Sequence, residues 1–248
     1  MSAASTSIPS IIGRLLQELS WTGELITRYR GGGRGFENVL SAEVLQALDF
    51  LPRQAFFGAV IQAVHGASAT ARQLLRDEAE AAEFLVLPGE MYLQAADIPK
   101  VQIQPDAIIT SPHVHCLVEA KRIRQSSFQP RQLAREFVMA QRLADGRHPL
   151  FLLLLSGPPP VRVRGRGRLA IRDAITAELS GVFSTGADVA QIEPLIEDTV
   201  CWLTWAELAD GIEAAKRGFT SGVPTVDTAM QRLSDAILKA VKWHGNEA

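Results

Sequence analysis

The run Pro149-Leu150-Phe151-Leu152-Leu153-Leu154-Leu155 constrains the fold more than any other stretch of this chain. It is wholly apolar and is ended by Gly157-Pro158-Pro159-Pro160. A bilayer span needs about 20 such residues, so this run is too short to cross a membrane. Apolar side chains on both alternating faces fit a strand covered on both sides, in the interior of a sheet with helices above and below. Upstream, residues 129–145 suit a helix, with Leu133, Phe137, Ala140 and Ala144 recurring on one face. Before it, Val114-His115-Cys116-Leu117-Val118 reads as a strand. Strand, helix, buried strand is a parallel crossover, right-handed by rule. The chain is therefore expected to be α/β.

The strand at 114–118 has a partner just upstream. Val101-Gln102-Ile103-Gln104 alternates apolar and polar, Ala107-Ile108-Ile109 continues as a strand, and Pro112 marks a turn. With the turn at Pro112-His113, residue 111 faces residue 114, and counting outward places Asp106 opposite Glu119. Directly opposed residues share a face and sit about 5 Å apart. Side chains alternate along a strand, so Lys121 joins Glu119 on that face. A hairpin loop of odd length would turn Asp106 away unless a bulge restored it.

An acid opposite an acid, with a lysine two residues on, is the arrangement that metal-dependent phosphodiester cleavage needs. Two carboxylates hold a divalent cation, and a lysine stabilises charge or helps to activate water beside it. Leu117-Val118-Glu119-Ala120 also embeds a carboxylate in an apolar strand, where it needs a partner or a metal to offset its desolvation. The plain alternative is an exposed hairpin with a surface Glu-Lys pair.

Pro105-Asp106, Glu119-Ala120-Lys121 and Gln132-Leu133 on the following helix together resemble the PD-(D/E)XK nuclease superfamily, the restriction-endonuclease-like fold. The motif core covers roughly residues 98 to 156, and a weaker match reaches upstream to Glu37. The resemblance implies an αβββαβ core with a mixed central sheet, flanking helices, additional N- and C-terminal helices, and Mg2+-dependent cleavage of DNA, with Mn2+ as a substitute. By the same resemblance Asp106 and Glu119 bind metal with the Ala120 carbonyl as a further ligand, and Lys121 assists catalysis. Gln132 takes the place of a glutamine that some branches carry on the helix. The tyrosine that one branch carries a turn later is not matched, since Glu136 and Phe137 stand there.

Many members of that superfamily also supply a glutamate from a helix before the hairpin. Glu37 is the candidate here, opening an apolar helical pattern at Val39, Leu40, Val44, Leu45 and Leu48, and Glu43 is its competitor. Acids near a helix start also favour its dipole, which accounts for either one. The preceding Arg30-Gly31-Gly32-Gly33-Arg34-Gly35 lacks Gly-Lys-Ser/Thr and is not a nucleotide cradle. It reads as a connector that lets Arg30 and Arg34 reach a polyanion.

Charge is concentrated. Between Lys121 and Arg172 twelve basic residues face two acidic ones, a net +10, leaving −12 for the rest of a chain whose total is −2. Arg131, Arg135 and Arg142 fall on the helix face opposite Leu133 and Phe137. Arg162, Arg164, Arg166 and Arg168 alternate, so an extended strand would present them together. With Arg122 and Arg124 they form the expected nucleic-acid contact, which supplies affinity with little sequence specificity. A solvated helix face with a charged edge strand is the competing account.

At 248 residues and 47% hydrophobic the chain has ample core and is read as one domain over 1–248. Residues 8–29, 52–66 and 68–84 look helical, making the N-terminal part (about 8–84) helical. A late strand is expected at Cys201-Trp202-Leu203-Thr204, with helices at about 205–217 and 224–242 in a C-terminal helical part of about 205–244. The last helix carries Val226, Met230, Leu233, Ile237 and Ala240 on one stripe, for core packing or a homodimer contact. Trp202, Trp205 and Trp243 are read as packing residues, with base stacking as the alternative. Met1 to Ser10 lacks the features of a secretory signal, and the two cysteines read as reduced core thiols of a cytoplasmic protein. His113 and His115 have metal-like spacing, but His115 lies about 13 Å along the strand from Glu119, and no further Cys or His completes a zinc site. They are expected at the hairpin tip. The readings are then a Mg2+-dependent DNA nuclease, or alternatively a catalytically silent nuclease-fold module that binds nucleic acid or a protein partner. Another metal-dependent phosphotransfer enzyme is disfavoured by the missing nucleotide loop.

Overall fold

The apolar run forms an interior strand whose two faces feed two different cores. Leu150, Leu152 and Leu154 pack into one cluster, and Phe151, Leu153 and Leu155 into the other, all of them buried. The computed structural model describes residues 35–95, 98–123, 127–183 and 186–246. The helix expected over 8–29, Arg30, Arg34 and Arg124 lie outside the described residues.

The N-terminal half consists of α1 (Gly35–Phe50), α2 (Arg53–Gln62), β1 (His65–Gly66), α3 (Ala69–Asp77), β2 (Glu83–Val86), β3 (Met91–Ala95), β4 (Ile98–Ile103), β5 (Ala107–Thr110) and β6 (Val114–Ala120). There follow α4 (Gln132–Leu143), β7 (His148–Leu155), β8 (Val161–Val163), β9 (Gly167–Leu169), α5 (Ile171–Leu179), α6 (Gly186–Ile192), α7 (Ile196–Thr199), β10 (Val200–Thr204), α8 (Trp205–Gly218) and α9 (Pro224–Asn246). The central sheet has six strands in the order β1-β10-β7-β6-β5-β2. β6, β7 and β10 run parallel, whereas β2–β5, β5–β6 and β1–β10 are antiparallel. The protein is thus α/β with a mixed central sheet and flanking helices. Gly66 closes the β1 edge: its φ is +79°, and a Cβ there would stand 2.8 Å from the Val200 carbonyl oxygen.

One core holds Leu40, Val44 and Leu48 of α1, Phe56 and Phe57 of α2 and Trp205, Leu208 and Ile212 of α8. The other holds Leu133, Phe137, Val138 and Ala140 of α4 with Ile175 and Leu179 of α5. The helices at Trp205–Gly218 and Pro224–Asn246 stand where expected. Thr204 accepts from the Glu207 amide at 3.1 Å, and the Glu207 carboxylate accepts in return from the Thr204 amide, a reciprocal cap that starts α8. On α9, Ile237, Ala240 and Val241 are buried, while Val226 and Trp243 are exposed. Both cysteines are free and buried, and burial pushes the Cys116 thiol up to about 12. No described helix is long and apolar enough to cross a membrane.

Three expectations are corrected. Residues 68–84 do not continue as a helix: α3 ends at Asp77, and Glu83–Val86 is a strand pairing with β5, on the edge of the sheet. Likewise the helix over 52–66 ends at Gln62 and gives way to β1. The strand read through 101–109 is broken. β4 ends at Ile103 and pairs with β3 in a separate sheet, and β5 begins only at Ala107. Pro105, which has no amide hydrogen to give a ladder, stands in the break.

Candidate active site

The β5–β6 register is Thr110 to His115, Ile109 to Cys116, Ile108 to Leu117 and Ala107 to Val118. The Ser111 amide donates to the Val114 carbonyl at 2.9 Å. The turn is therefore Pro112-His113, and the count leads outward to Asp106 and Glu119 as expected. The ladder itself stops one residue short. Asp106 donates its amide to the Val118 carbonyl at 3.0 Å, and its own carbonyl accepts from Leu87 at 2.8 Å. The carboxylate Oδ2 accepts from the Ala120 amide at 2.8 Å, and Ser41 of α1 supplies a further hydrogen bond. Asp106 is thus held by α1, while Glu119 is held by Gln132 of α4. The shared-face geometry expected from direct opposition is replaced by two acids meeting at the strand ends, one tied to each helix layer.

Glu119 Oε1 accepts from Lys121 Nζ at 2.6 Å and from Gln132 Nε2 at 2.5 Å. Gln132 reaches Glu119 because it opens α4 where the β6–α4–β7 crossover begins, beside the C-terminal end of β6. Lys121 is fixed on every side. Its amide donates to the Leu154 carbonyl at 2.7 Å, and its carbonyl accepts from Trp205 Nε1 at 2.7 Å. Its ammonium lies 5.0 Å from the centroid of the Phe128 ring. Asp106, Glu119 and Lys121 are each at most 6% exposed.

Burial pushes the Asp106 carboxyl up to about 8, and the charge of Glu119 adds to that rise; the Ala120 amide, Lys121 and Ser41 oppose it only in part. A third acid, Glu136, is buried on the same helix as Gln132. Its Oε1 accepts from Gln132 Nε2 at 3.0 Å, and burial together with the Glu119 charge raises its carboxyl well above the usual range. Three carboxyl groups are thus crowded near one lysine, and oxygen-only donors suit Mg2+ rather than zinc. Among the described residues no group of three or more His, Cys, Asp or Glu side chains is disposed to hold a metal ion. A cation at this place would take one or two carboxylates and fill its shell with carbonyl and water oxygens, as Mg2+ commonly does. The Ala120 carbonyl is available for this by direction, because its amide faces Asp106 and both groups of a strand residue point to one side. These oxygens are of the type that such a cation takes.

Glu37 falls in α1 one turn before Ser41, and its side chain lies outside the described residues. Its competitor, Glu43, is exposed and lies 3.4 Å from His244 of α9. The arginine run is not one extended strand. It folds back as the β8–β9 hairpin, with Gly165 at φ +76° in the turn and Arg162 directly opposite Arg168. Arg162, Arg164, Arg166 and Arg168 are all exposed. The hairpin joins the site through Phe128, whose amide donates to the Arg162 carbonyl and whose carbonyl accepts from Arg164, each at 2.9 Å. Arg166 pairs with Glu178, which also lies 3.5 Å from Arg131. Arg122 and Arg135 are half-buried. His113 does lie at the hairpin tip, bound to Glu78, but His115 is buried in β6, where burial lowers its pKa.

Ser41, Phe128, Glu136 and Trp205 join the site without having been expected there. Of these only Glu136 had a visible signal, its position four residues after Gln132 on one helix face. Comparison with protein-family models, curated proteins and solved structures gives no match to this chain.

Proposed function

We propose that this chain is a metal-dependent nuclease of the PD-(D/E)XK type that hydrolyses DNA phosphodiester bonds, with Asp106 and Glu119 binding Mg2+. The observation that best supports this reading is the buried meeting of Asp106, Glu119 and Lys121 at the end of β6. The order α1, antiparallel β2–β5–β6, α4 and parallel β7 agrees with the αβββαβ core such enzymes share. A bound divalent cation supplies Lewis acidity to the phosphate and makes water at the site more acidic. The chain's own groups do the rest. The Ala120 amide and Ser41 orient Asp106, and Gln132 orients Glu119. Lys121, with its backbone clamped and its ammonium beside Phe128, is placed to stabilise charge developing on phosphate oxygens. The arginine hairpin, tethered through Phe128, binds the phosphate backbone.

The rival reading, a silent nuclease-fold module that binds nucleic acid or a protein partner, draws on one observation. Glu119 Oε1 is already engaged by both Lys121 and Gln132. Incubating the protein with supercoiled plasmid, linear duplex, single-stranded DNA and RNA, in Mg2+, Mn2+ and EDTA, separates the two. The nuclease reading expects cleavage of at least one DNA form that EDTA abolishes. DNA binding with every substrate left intact in both metals favours the silent module.

A further inference from the structure

We infer that Glu178 is a positioning residue that braces Arg131 and Arg166 into a clamp for one backbone phosphate of the substrate; this rests on the reading above that the arginine face binds DNA. Glu178 lies on the inward side of α5 with Ile171, Ala174, Ile175 and Leu179, and all five are buried. Packing does not call for an acid there. A carboxylate at such a position is costly unless it is paired, and an apolar residue of similar volume would serve the core as well.

Its partners are two arginines brought from two other elements. Arg166, in the turn between β8 and β9, pairs with Oε1, and Arg131, at the start of α4, brings Nε to 3.5 Å from Oε2. The acid is buried while the side chains of Arg131 and Arg166 are 58% and 44% exposed, so it holds them from beneath. A guanidinium carries its N–H donors in a rigid fork and gives only part of that fork to such a contact. The remaining donors of the two arginines match the oxygens of a phosphate. Long side chains held in place beforehand lose less freedom when the phosphate arrives, which is what the brace contributes. Arg131 also immediately precedes Gln132, whose amide reaches Glu119, so the clamp borders the acids of the active site. A role in charge neutralisation alone predicts the opposite outcome, since taking an acid off a DNA-binding face strengthens binding.

The test is the affinity of the full chain for labelled duplex DNA, read by fluorescence anisotropy in EDTA, so that no cleavage intervenes. Salt of about 0.2 M shortens the reach of bulk charge and leaves direct contacts to decide. Glu178→Met, which fills the volume without an oxygen, is expected to melt no lower than wild type yet bind at least about threefold more weakly. Glu178→Gln keeps an oxygen for one fork and is expected between the two; if the methionine variant folds poorly, weaker binding by the glutamine variant decides in its place. Arg131→Ala with Arg166→Ala is expected to weaken binding as well, and adding Glu178→Met to that pair should cost less than about twofold more, because the brace has nothing left to hold. A smaller loss in Glu178→Met, or tighter binding, overturns the inference and leaves the nuclease reading standing. So does a full further loss when Glu178→Met is added to the arginine pair. A wild type that cleaves no DNA but shows the expected order of affinities removes the nuclease reading and keeps the clamp, whereas a wild type that binds no duplex overturns both.

Discussion

The indole N–H of Trp205 donates to the carbonyl of Lys121 at 2.7 Å, joining residues 84 positions apart in the chain. Trp205 is the first residue of α8 and is 1% exposed, so its ring is part of the core as well as a donor. With the Lys121 amide bonded to Leu154, both backbone groups of the lysine are held by neighbouring elements. Trp205→Phe keeps an aromatic ring but leaves a buried carbonyl without its donor, a loss of about 1–3 kcal/mol. Denaturant titration should show that loss as a lower midpoint. Cleavage should fall mainly in kcat, because the lysine is freed while the DNA contacts stay intact.

Glu78 carries the pH dependence of the hairpin tip. Its carboxylate accepts from Ser111 Oγ at 2.6 Å and from the His113 amide at 3.0 Å, and it pairs with the His113 ring. Burial alone would raise this carboxyl, but the hydrogen bonds of Ser111 and His113 outweigh it and hold Glu78 below its ordinary value of 4.5. A carboxyl lowered on folding contributes stability above its unfolded pKa, and that stability is lost as pH falls through the folded value. Glu78→Gln should therefore melt below wild type at pH 7, by the equivalent of about 1 kcal/mol with exposure of the histidine taken into account. The gap should close as pH drops below about 4. Thermal melts of the two proteins from pH 3 to 7 measure it, and a gap independent of pH would remove Glu78 from this role.

Arg162 and Arg168 face each other across the β8–β9 hairpin. Like charges directly opposed in a sheet are unfavourable by a few tenths of a kcal/mol, up to about 1. A polyanion lying on this face relieves that repulsion. Arg162→Ala with Arg168→Ala should weaken DNA binding equally across sequences and reduce the salt dependence, as the slope of log affinity against log salt, by about two. Either single substitution should leave the melting temperature unchanged or slightly raised. Fluorescence anisotropy with labelled duplexes at several salt concentrations provides the measurement.

What the sequence made legible was set by local rules. The two-residue turn at Pro112-His113 determines parity, so the partnership of Ala107 with Val118 could be counted. The interior strand was legible because all of its residues from Leu150 to Leu155 are buried on one face or the other. What was missed depends on contacts distant in the chain. Edge strand β2 reads Glu83-Phe84-Leu85-Val86 and exposes the apolar Leu85 along with Glu83, so its pairing with β5 decides it rather than any polar and apolar alternation in its sequence. Asp106 leaves the ladder because Pro105 interrupts it, and Ser41 of α1 then claims the carboxylate. The alternating arginines looked like one strand because nothing in the alternation reveals the reversal at Arg164-Gly165-Arg166. Trp205 reached Lys121 only through the addition of β10 and α8 to the sheet.

Asp106→Asn and Lys121→Ala test the central claim most directly. Asparagine retains an oxygen for the Ala120 amide, so the first variant should fold as wild type does while losing the acid. Cleavage of supercoiled plasmid in Mg2+ should fall by about 100-fold or more in each variant, the scale on which loss of one charge-stabilising group acts. Both variants should keep wild-type affinity for DNA to within about threefold, since phosphate contacts dominate that term. Cleavage at the wild-type rate by both folded variants would contradict the assignment of the reaction to Asp106, Glu119 and Lys121.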